Sequence, residues 1–330
     1  MTSATVLAAS PAAVETAAEA LRAGQLVAFP TETVYGLGAD AANANAVRAI
    51  FAAKGRPSDH PLIVHLPDAS HLDAWARRVP DGARALAGAF WPGPLTLILP
   101  RDARVGDVVT GGEDSVGLRV PAHPVAQALL AAFARRGGHG VAAPSANRYG
   151  HVSPTTAQHV ADDLGDRVAL ILDGGPCGVG IESTIVAFDG DRPLLMRPGG
   201  IGVDALARAL GRAPDAPGDD APRASGTHAS HYAPRAAAFL VDAILLSAEI
   251  ERLAERDEVV GVLARTVRRP PELDGHWIDA PADVEGYARD LYANLRRLDA
   301  VHPDAILVES PPDDPAWLAV RDRLERATHR

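Results

Sequence analysis

Short apolar runs alternate with longer amphipathic stretches through the first two-thirds of the chain. The runs at 25–30 (QLVAFP), 61–66 (PLIVHL), 91–100 (WPGPLTLILP), 115–121 (SVGLRVP), 141–147 (VAAPSAN), 169–175 (ALILDGG) and 183–190 (STIVAFDG) predict strands. Helical spacing predicts helices over 43–53, 69–79, 82–90, 124–135, 155–164 and 203–210. The first helix carries its own punctuation: Ser10 suits a cap, Pro11 the first turn, and Gly24 follows the end. TETVYGLGAD (31–40) reads as a polar loop, and PLLMRPGGI (193–201) ends the block. Parallel-type crossovers mixed with closely spaced strands predict an α/β domain around a twisted, mixed sheet over residues 1–210.

At 211–235 the pattern stops. The stretch is rich in Pro, Ala, Asp and Gly and has no hydrophobic period, which is a linker by composition, yet its tail HASHYAP carries two histidines and a tyrosine. Beyond it, AAFLV, VVGVLA and AILVES are interleaved with helical stretches at 246–255, 283–298 and 315–327. Residues 236–330 therefore read as a small Rossmann-like α/β domain. No G-x-G-x-x-G follows any of its strands, so dinucleotide binding is not expected there.

With 47% hydrophobic and 22% charged residues in 330, the chain has the composition of a soluble globular protein. A net charge of −10 argues against stable nucleic-acid binding over the whole surface, which needs clustered cations. One cysteine, Cys177, allows no internal disulfide and no cysteine-based zinc site. No basic-then-apolar leader and no membrane-length apolar run is present, so a cytoplasmic location is expected. Lys54 is the only lysine among 32 basic residues; it stands two positions before Arg56 on a Gly-Pro turn.

Walker A, H-E-x-x-H and G-x-S-x-G sequences are absent. The chemistry-bearing residues are expected instead on polar turns at the ends of apolar strands, where open α/β sheets place ligands. Thr31, Glu32, Thr33 and Tyr35 follow the first strand, with Gly36 and Gly38 permitting close approach of a ligand; the threonines could equally satisfy their own loop. Lys54, Arg56 and His60 share one turn, with His65 after the next strand. Such a cluster suits a polyphosphate, and singly each cation would also suit a solvated helix end. Ser115 and Arg119 lie on SVGLRVP, where the arginine faces opposite to Leu118 and Val120. Ala143, Ser145, Asn147 and Ser153 form a ligand surface or a hydroxyl-capped turn. The glycines of DGGPCGVG suggest a mobile loop ahead of Glu182 and Ser183, and Arg197-Pro198-Gly199 comes after PLLM. No partner pattern nominates Cys177 as a nucleophile.

The ordered set PTETVYGLG, KGRP…PLIVH, WPGPLTLIL, VGLRVP, APSAN…G…SPT, DGG…G.ESTIV and RPG closely resembles the threonylcarbamoyl-AMP synthases, the YrdC-like family. The resemblance covers about 14–210. HYAP and the C-terminal block resemble the long two-domain form, in which a linker crosses the active site. The resemblance implies synthesis of L-threonylcarbamoyladenylate and pyrophosphate from L-threonine, bicarbonate or CO2, and ATP with Mg2+. The product would pass to the machinery that modifies tRNA. No organic cofactor is implied, and no protein side chain is expected as a metal ligand, since the phosphates would hold Mg2+. Carried over by motif, Thr33, His65, Arg119, Ala143 and Ser183 belong to the threonine site. Arg56, His60, Ser115, Ser145, Asn147, Ser153 and Arg197 belong to the ATP side, and Tyr232 closes over the nucleotide. Lys54 and Arg56 would oppose charge developing on the phosphates.

Three departures from the family pattern stand out. His60 replaces an expected asparagine, Ala224-Ser225-Gly226 replaces Ser-Pro-Gly at the linker start, and RRGGHG (135–140) resembles a short insertion. Two other functions are compatible with the fold. One is an RNA-binding or regulatory module, disfavoured by the net charge and the intact motifs. The other is carbamoyl transfer as in hydrogenase maturation proteins, disfavoured by the lack of zinc-finger cysteines.

Overall fold

The computed structural model describes residues 5–218, 220–226, 231–271 and 275–329. The chain divides into two compact units. One comprises Met1–Tyr149, Pro154–Gly178 and Glu182–Thr227; the other comprises Gly150–Ser153, Val179–Ile181 and His228–Arg330. The segment 211–235 is thus shared between them. His228, one of the two histidines of HASHYAP, lies outside the described residues.

The first unit is built on a ten-stranded mixed sheet. Its strands are β1 (Thr5–Ala8), β2 (Val27–Phe29), β3 (Gly36–Asp40), β4 (Ile63–His65), β5 (Leu95–Pro100), β6 (Ser115–Arg119), β7 (Val141–Ala142), β8 (Leu170–Asp173), β9 (Thr184–Asp189) and β10 (Arg192–Arg197). They lie in the order β1-β8-β2-β3-β7-β4-β6-β5-β9-β10. The helices Pro11–Arg22, Pro124–Arg135 and Val203–Leu210 have the expected limits, and the Ser10 hydroxyl caps the first by accepting from the Ala13 N–H.

The sequence reading gave no strand at β1, β3 or β10 in this unit. β3 was expected as loop because GLGAD carries almost no side-chain signal, yet all five residues are buried. Packing explains its glycine: a Cβ on Gly38 would lie 2.8 Å from the Phe29 ring and 2.9 Å from Val141 Cγ1. Gly36 likewise lies against Ala143 and Phe29, so both glycines serve strand packing, not approach to a ligand. The helix expected over 69–79 is only a 3₁₀ turn, Ala69–His71, and Leu72–Trp75; Ala76 then bridges to Arg101 as extended chain.

The two faces of this sheet are covered differently. On one, Val64, Val116, Leu118, Leu95, Leu97, Leu99 and Val186 join a large core with the helices Ala44–Lys54, Asp81–Phe90 and Val203–Leu210. On the other, Pro11–Arg22 and Pro124–Arg135 pack over Val27, Phe29, Val141, Ala143, Leu170 and Leu172, at one side of the sheet. Strand alternation turns Ile63, His65, Thr96, Ile98, Ser115, Gly117, Arg119 and Ile185 to that second face, beyond the helices. Short chain at 223–225, with Ala224 against Ile98 and Ile185, is what lies over this part.

The second unit holds a parallel sheet of β11 (Ala237–Val241), β12 (Val260–Ala264), β13 (His276–Asp279) and β14 (Ala305–Glu309), ordered β11-β14-β12-β13. Its core gathers Leu246, Ile250 and Leu253 of the helix Leu246–Ala254 against Val260, Val262 and Leu307. The reading missed β13, whose HWID is half exposed and lacks an apolar run. Among the described residues no helix is long and apolar enough to cross a membrane.

Candidate active site

The face of the first sheet beyond the two helices carries His65, Ser115 and Arg119, with Thr33 and Ser183 bonded to its side chains. In β6 the positions 115, 117 and 119 share one side of the strand. Ser115 stands at one end and Arg119 at the other, and Gly117 between them leaves a floor without a side chain. The residues therefore spread across the middle of a mixed sheet. They do not lie along a single carboxyl edge as in an open parallel sheet.

At one end, His65 and Arg119 are register partners on β4 and β6. The Arg119 side chain is 5% exposed; its Nη1 donates to Thr33 Oγ1 at 2.9 Å and its Nη2 to Glu32 Oε1 at 2.6 Å. Its Nε is buried and has no partner among the described residues. Glu32 Oε2 also accepts the Ala122 N–H at 3.0 Å. Thr31 Oγ1 donates to the Val34 carbonyl at 2.6 Å and contacts Thr33 Oγ1 at 2.8 Å, which fixes the loop after β2. Ala143 is buried beside this region, its N–H bonded to the Ile63 carbonyl.

His65 is buried against Phe29, and its Nδ1 has no partner among the described residues. Burial, and after it the Arg119 charge, push its pKa down to about 3. The ring is thus neutral at physiological pH and can orient a ligand without adding charge. Its pKa in the unfolded chain is near 6.5, so between about 3 and 6.5 the native state binds fewer protons than the unfolded state. The stability contributed by the neutral ring is complete above 6.5 and is lost as the pH falls toward 3. His65→Gln should flatten the decline of the unfolding free energy, read from urea titrations over that interval, by on the order of a few kcal/mol in total. Identical decline in both proteins would disprove the assignment.

At the other end stands the Lys54 turn. The helix Ala44–Lys54 ends on Gly55 in the left-handed region, φ 65°, so the lysine is its last residue. Lys54 is 4% exposed and does not project as a free ammonium toward a phosphate. Nζ donates to the Ser145 carbonyl at 2.5 Å, the Asn147 carbonyl at 2.6 Å and Asn147 Oδ1 at 3.4 Å. Burial first, and then Arg56, pull its pKa well below the ordinary lysine value; three acceptors around Nζ call for all three ammonium hydrogens. Lys54 staples the 145–147 turn. The amide of Asn147 is spent on the same turn, since its Nδ2 donates to the Arg148 carbonyl at 2.8 Å.

A hydrogen-bond chain joins the remaining residues. Arg56 Nη2 donates to the Pro61 carbonyl at 3.0 Å, and the Ser225 hydroxyl donates to the same oxygen at 2.7 Å. The Ser225 carbonyl accepts from Arg197 Nη1 at 2.7 Å. Arg197, itself 3% exposed, donates through Nε and Nη2 to the Ser183 carbonyl, and through Nη2 to its hydroxyl at 3.2 Å. Ser183 Oγ in turn lies 2.8 Å from Thr96 Oγ1. Gly199 lets the Arg197-Pro198-Gly199 stretch lie on this chain: a Cβ there would come within 2.3 Å of the Thr184 nitrogen. Ser115, Pro61, Thr96, Gly117 and Ser225 line one small pocket. His60 stacks edge-on with Tyr149, ring centroids 5.5 Å apart. Ser153 and Tyr232 fall in the second unit, where Tyr232 stacks on Tyr292 under the Arg323 guanidinium at φ 62°.

Sequence reasoning gave Glu32 and Thr96 no role. Glu32 was noted only as a loop acid, and Thr96 could have been found as the lone polar residue on the outward-alternating positions of LTLIL. Tyr35, noted on the same loop, has a wholly buried ring whose hydroxyl donates to the Gly175 carbonyl at 2.8 Å, bolting two loops together. Burial pushes the Cys177 thiol up to about 12, leaving it a poor nucleophile. Among the described residues no group of three His, Cys, Asp or Glu is placed to hold a metal ion.

Two family models cover most of the chain. One, Sua5/YciO/YrdC, described as "Telomere recombination", matches residues 19–199, and the other, "Threonylcarbamoyl-AMP synthase, C-terminal domain", matches residues 201–328. The threonylcarbamoyl-AMP synthase of Pyrococcus abyssi is 40% identical over 324 residues, which cover 94% of this chain and 93% of that protein. The enzyme of the same name from Bacillus subtilis is 41% identical over 321 residues, 94% and 91% of the two chains. The crystal structure of P. abyssi Sua5 complexed with L-threonine matches with a TM-score of 0.90 at 37% identity, covering 99% of this chain and 97% of that one. The chain belongs to the Sua5/YciO/YrdC family, in the form that carries the threonylcarbamoyl-AMP synthase C-terminal domain.

Proposed function

We propose that this chain is a threonylcarbamoyl-AMP synthase, converting L-threonine, bicarbonate or CO2, and ATP into L-threonylcarbamoyladenylate and pyrophosphate. The observation that carries the reading is the division of one sheet face into two chemically distinct ends. Arg119, Thr33, neutral His65 and Ser183 suit a small zwitterion. Arg56, Ser115 and Arg197, with the hydroxyl of Ser225, suit an anionic nucleotide. Relatives bearing that enzyme name match over nearly the whole chain, and L-threonine is bound in the P. abyssi structure.

The threonine nitrogen forms a bond to the carbon of CO2 or bicarbonate, giving a carbamate with loss of a proton or of water. A carbamate oxygen then bonds to the α-phosphorus of ATP while the bond to pyrophosphate breaks. Neither step needs a covalent enzyme intermediate, so the residues act by alignment and by opposing charge on the phosphates. Mg2+ would travel with ATP on its phosphate oxygens and neutralise their charge. The guanidinium and hydroxyl groups at this end suit that role better than direct ligation of a metal would. The product would be consumed by transfer of the threonylcarbamoyl group to tRNA, in a cytoplasmic setting.

Incubation of the protein with ATP, Mg2+, bicarbonate and L-threonine should release pyrophosphate in a threonine-dependent manner and yield threonylcarbamoyl-AMP by mass spectrometry. Turnover indifferent to threonine would refute the assignment.

A further inference from the structure

Thr96 is a buried polar residue in the otherwise apolar strand β5, and it faces the side of the sheet that carries the site. Leu97 pairs with Leu118, so Thr96 and Arg119 are the next residues along two antiparallel strands; Arg119 is in turn the register partner of His65. Three neighbouring strands thus bring His65, Arg119 and Thr96 into one row. Thr96 also lines the small pocket that holds Ser115 and Gly117. Its hydroxyl meets Ser183 Oγ at 2.8 Å, and Ser183 Oγ accepts from Arg197 Nη2 at 3.2 Å. The two hydroxyls together own two hydrogens and four lone pairs. Arg197 takes one lone pair, and the bond between the hydroxyls takes one hydrogen and one lone pair. One hydrogen and two lone pairs remain, with no further partner among the described residues, whichever oxygen donates in the shared bond.

We propose that Thr96 determines specificity for the amino acid: with Ser183 it forms a hydroxyl pair that reads the β-hydroxyl of L-threonine. A point that offers a donor and acceptors together matches a group that both accepts and donates. A carboxylate only accepts and an ammonium only donates, so of the polar groups of threonine the hydroxyl alone has both functions. The carboxylate has its natural partner in Arg119, one place along the same row. The fold does not depend on the contact between the hydroxyls. β5 and β9 are already joined by a ladder from Leu95–Thr184 to Ile98–Ala187, and the Thr184 N–H donates to the Pro94 carbonyl at 2.9 Å. The effect of Thr96 therefore falls on the choice of amino acid and not on ATP.

The inference rests on the synthase reading, and its test separates the two. L-Threonine and L-2-aminobutyrate, the same amino acid without its β-hydroxyl, are compared in wild type, Thr96→Val and Thr96→Ser by calorimetric titration and by pyrophosphate release. In wild type, threonine should bind at least about tenfold more tightly than aminobutyrate, the worth of one well-made hydrogen bond. Valine keeps the branched shape that suits a strand but carries neither donor nor acceptor. In Thr96→Val, threonine should weaken by about tenfold and aminobutyrate hardly at all, so that most of the preference disappears. The KM for threonine should rise by a similar factor, with the KM for ATP unchanged. Thr96→Ser, which keeps the hydroxyl, should restore the preference. If Thr96→Val weakens both amino acids equally, leaves the preference intact or raises both KM values together, Thr96 is structural and the proposal fails while the synthase reading stands. Equal binding of the two amino acids by wild type would show that the hydroxyl is not read, and would sink the proposal alone. If wild type releases no pyrophosphate in response to threonine, the synthase reading fails and the proposal falls with it.

Discussion

Lys54→Met should cost about 3 kcal/mol of stability and on the order of a hundredfold in turnover, although the lysine touches no part of the sheet face directly. Methionine fills nearly the same volume, so the loss is not one of packing. It strands the Ser145 and Asn147 carbonyls, which accept from Nζ at 2.5 and 2.6 Å in a site where the side chain is 4% exposed. Each buried acceptor left without a donor costs about 1–3 kcal/mol. The turn that loses its staple also carries Ser145, which bridges to Gly36 at the start of β3, and Asn147. Lys54→Arg is the informative companion. A guanidinium can donate to the same carbonyls, but it is planar and larger in a space sized for an ammonium. It should recover part of the stability and little of the turnover. Arg78→Ala, which removes a surface pair with Asp191, should match wild type in both. Urea unfolding alongside threonine-dependent pyrophosphate release measures all three. Wild-type stability in Lys54→Met would show that the staple carries no energy.

That lysine also shows how far the sequence could be read. Its singularity among the basic residues marked a position that resists arginine, and the structure supplies the reason: three acceptors converge on one compact nitrogen. Its partners were not legible, because Ser145 and Asn147 lie about 90 positions away and main-chain oxygens leave no trace in composition. A cation near Arg56 was therefore read as facing phosphate. The same limit hid β3, since a strand of small residues has no alternation to detect, and its glycines were taken as ligand-facing when Phe29 and Val141 occupy the space. Alternation was decisive where side chains were large. Arg119 between Leu118 and Val120 was placed on the face opposite the core from spacing alone, and that is where it lies. What spacing could not tell is that helices cover only part of that face, which is what turns a row of polar positions into a site.

Arg197→Lys should lower kcat/KM by about a hundredfold or more and raise the KM for both threonine and ATP. The dual effect follows from the bonds that the guanidinium makes. Nε and Nη2 hold Ser183, on the threonine side, and Nη1 holds the Ser225 carbonyl at 2.7 Å. Ser225 then reaches the Pro61 carbonyl, the oxygen that also accepts from Arg56 on the nucleotide side. A lysine has donors enough for one of these groups but cannot span both with a single rigid plane. Ser225→Ala cuts the chain further along and leaves Arg197 on Ser183. It should raise the KM for ATP by several-fold, the worth of one hydrogen bond, and leave that for threonine near wild type. The pair of variants thus reads the direction of the coupling. A rise in the KM for ATP alone in Arg197→Lys would mean that Ser183 holds its place without the arginine, and that the two ends of the face work independently.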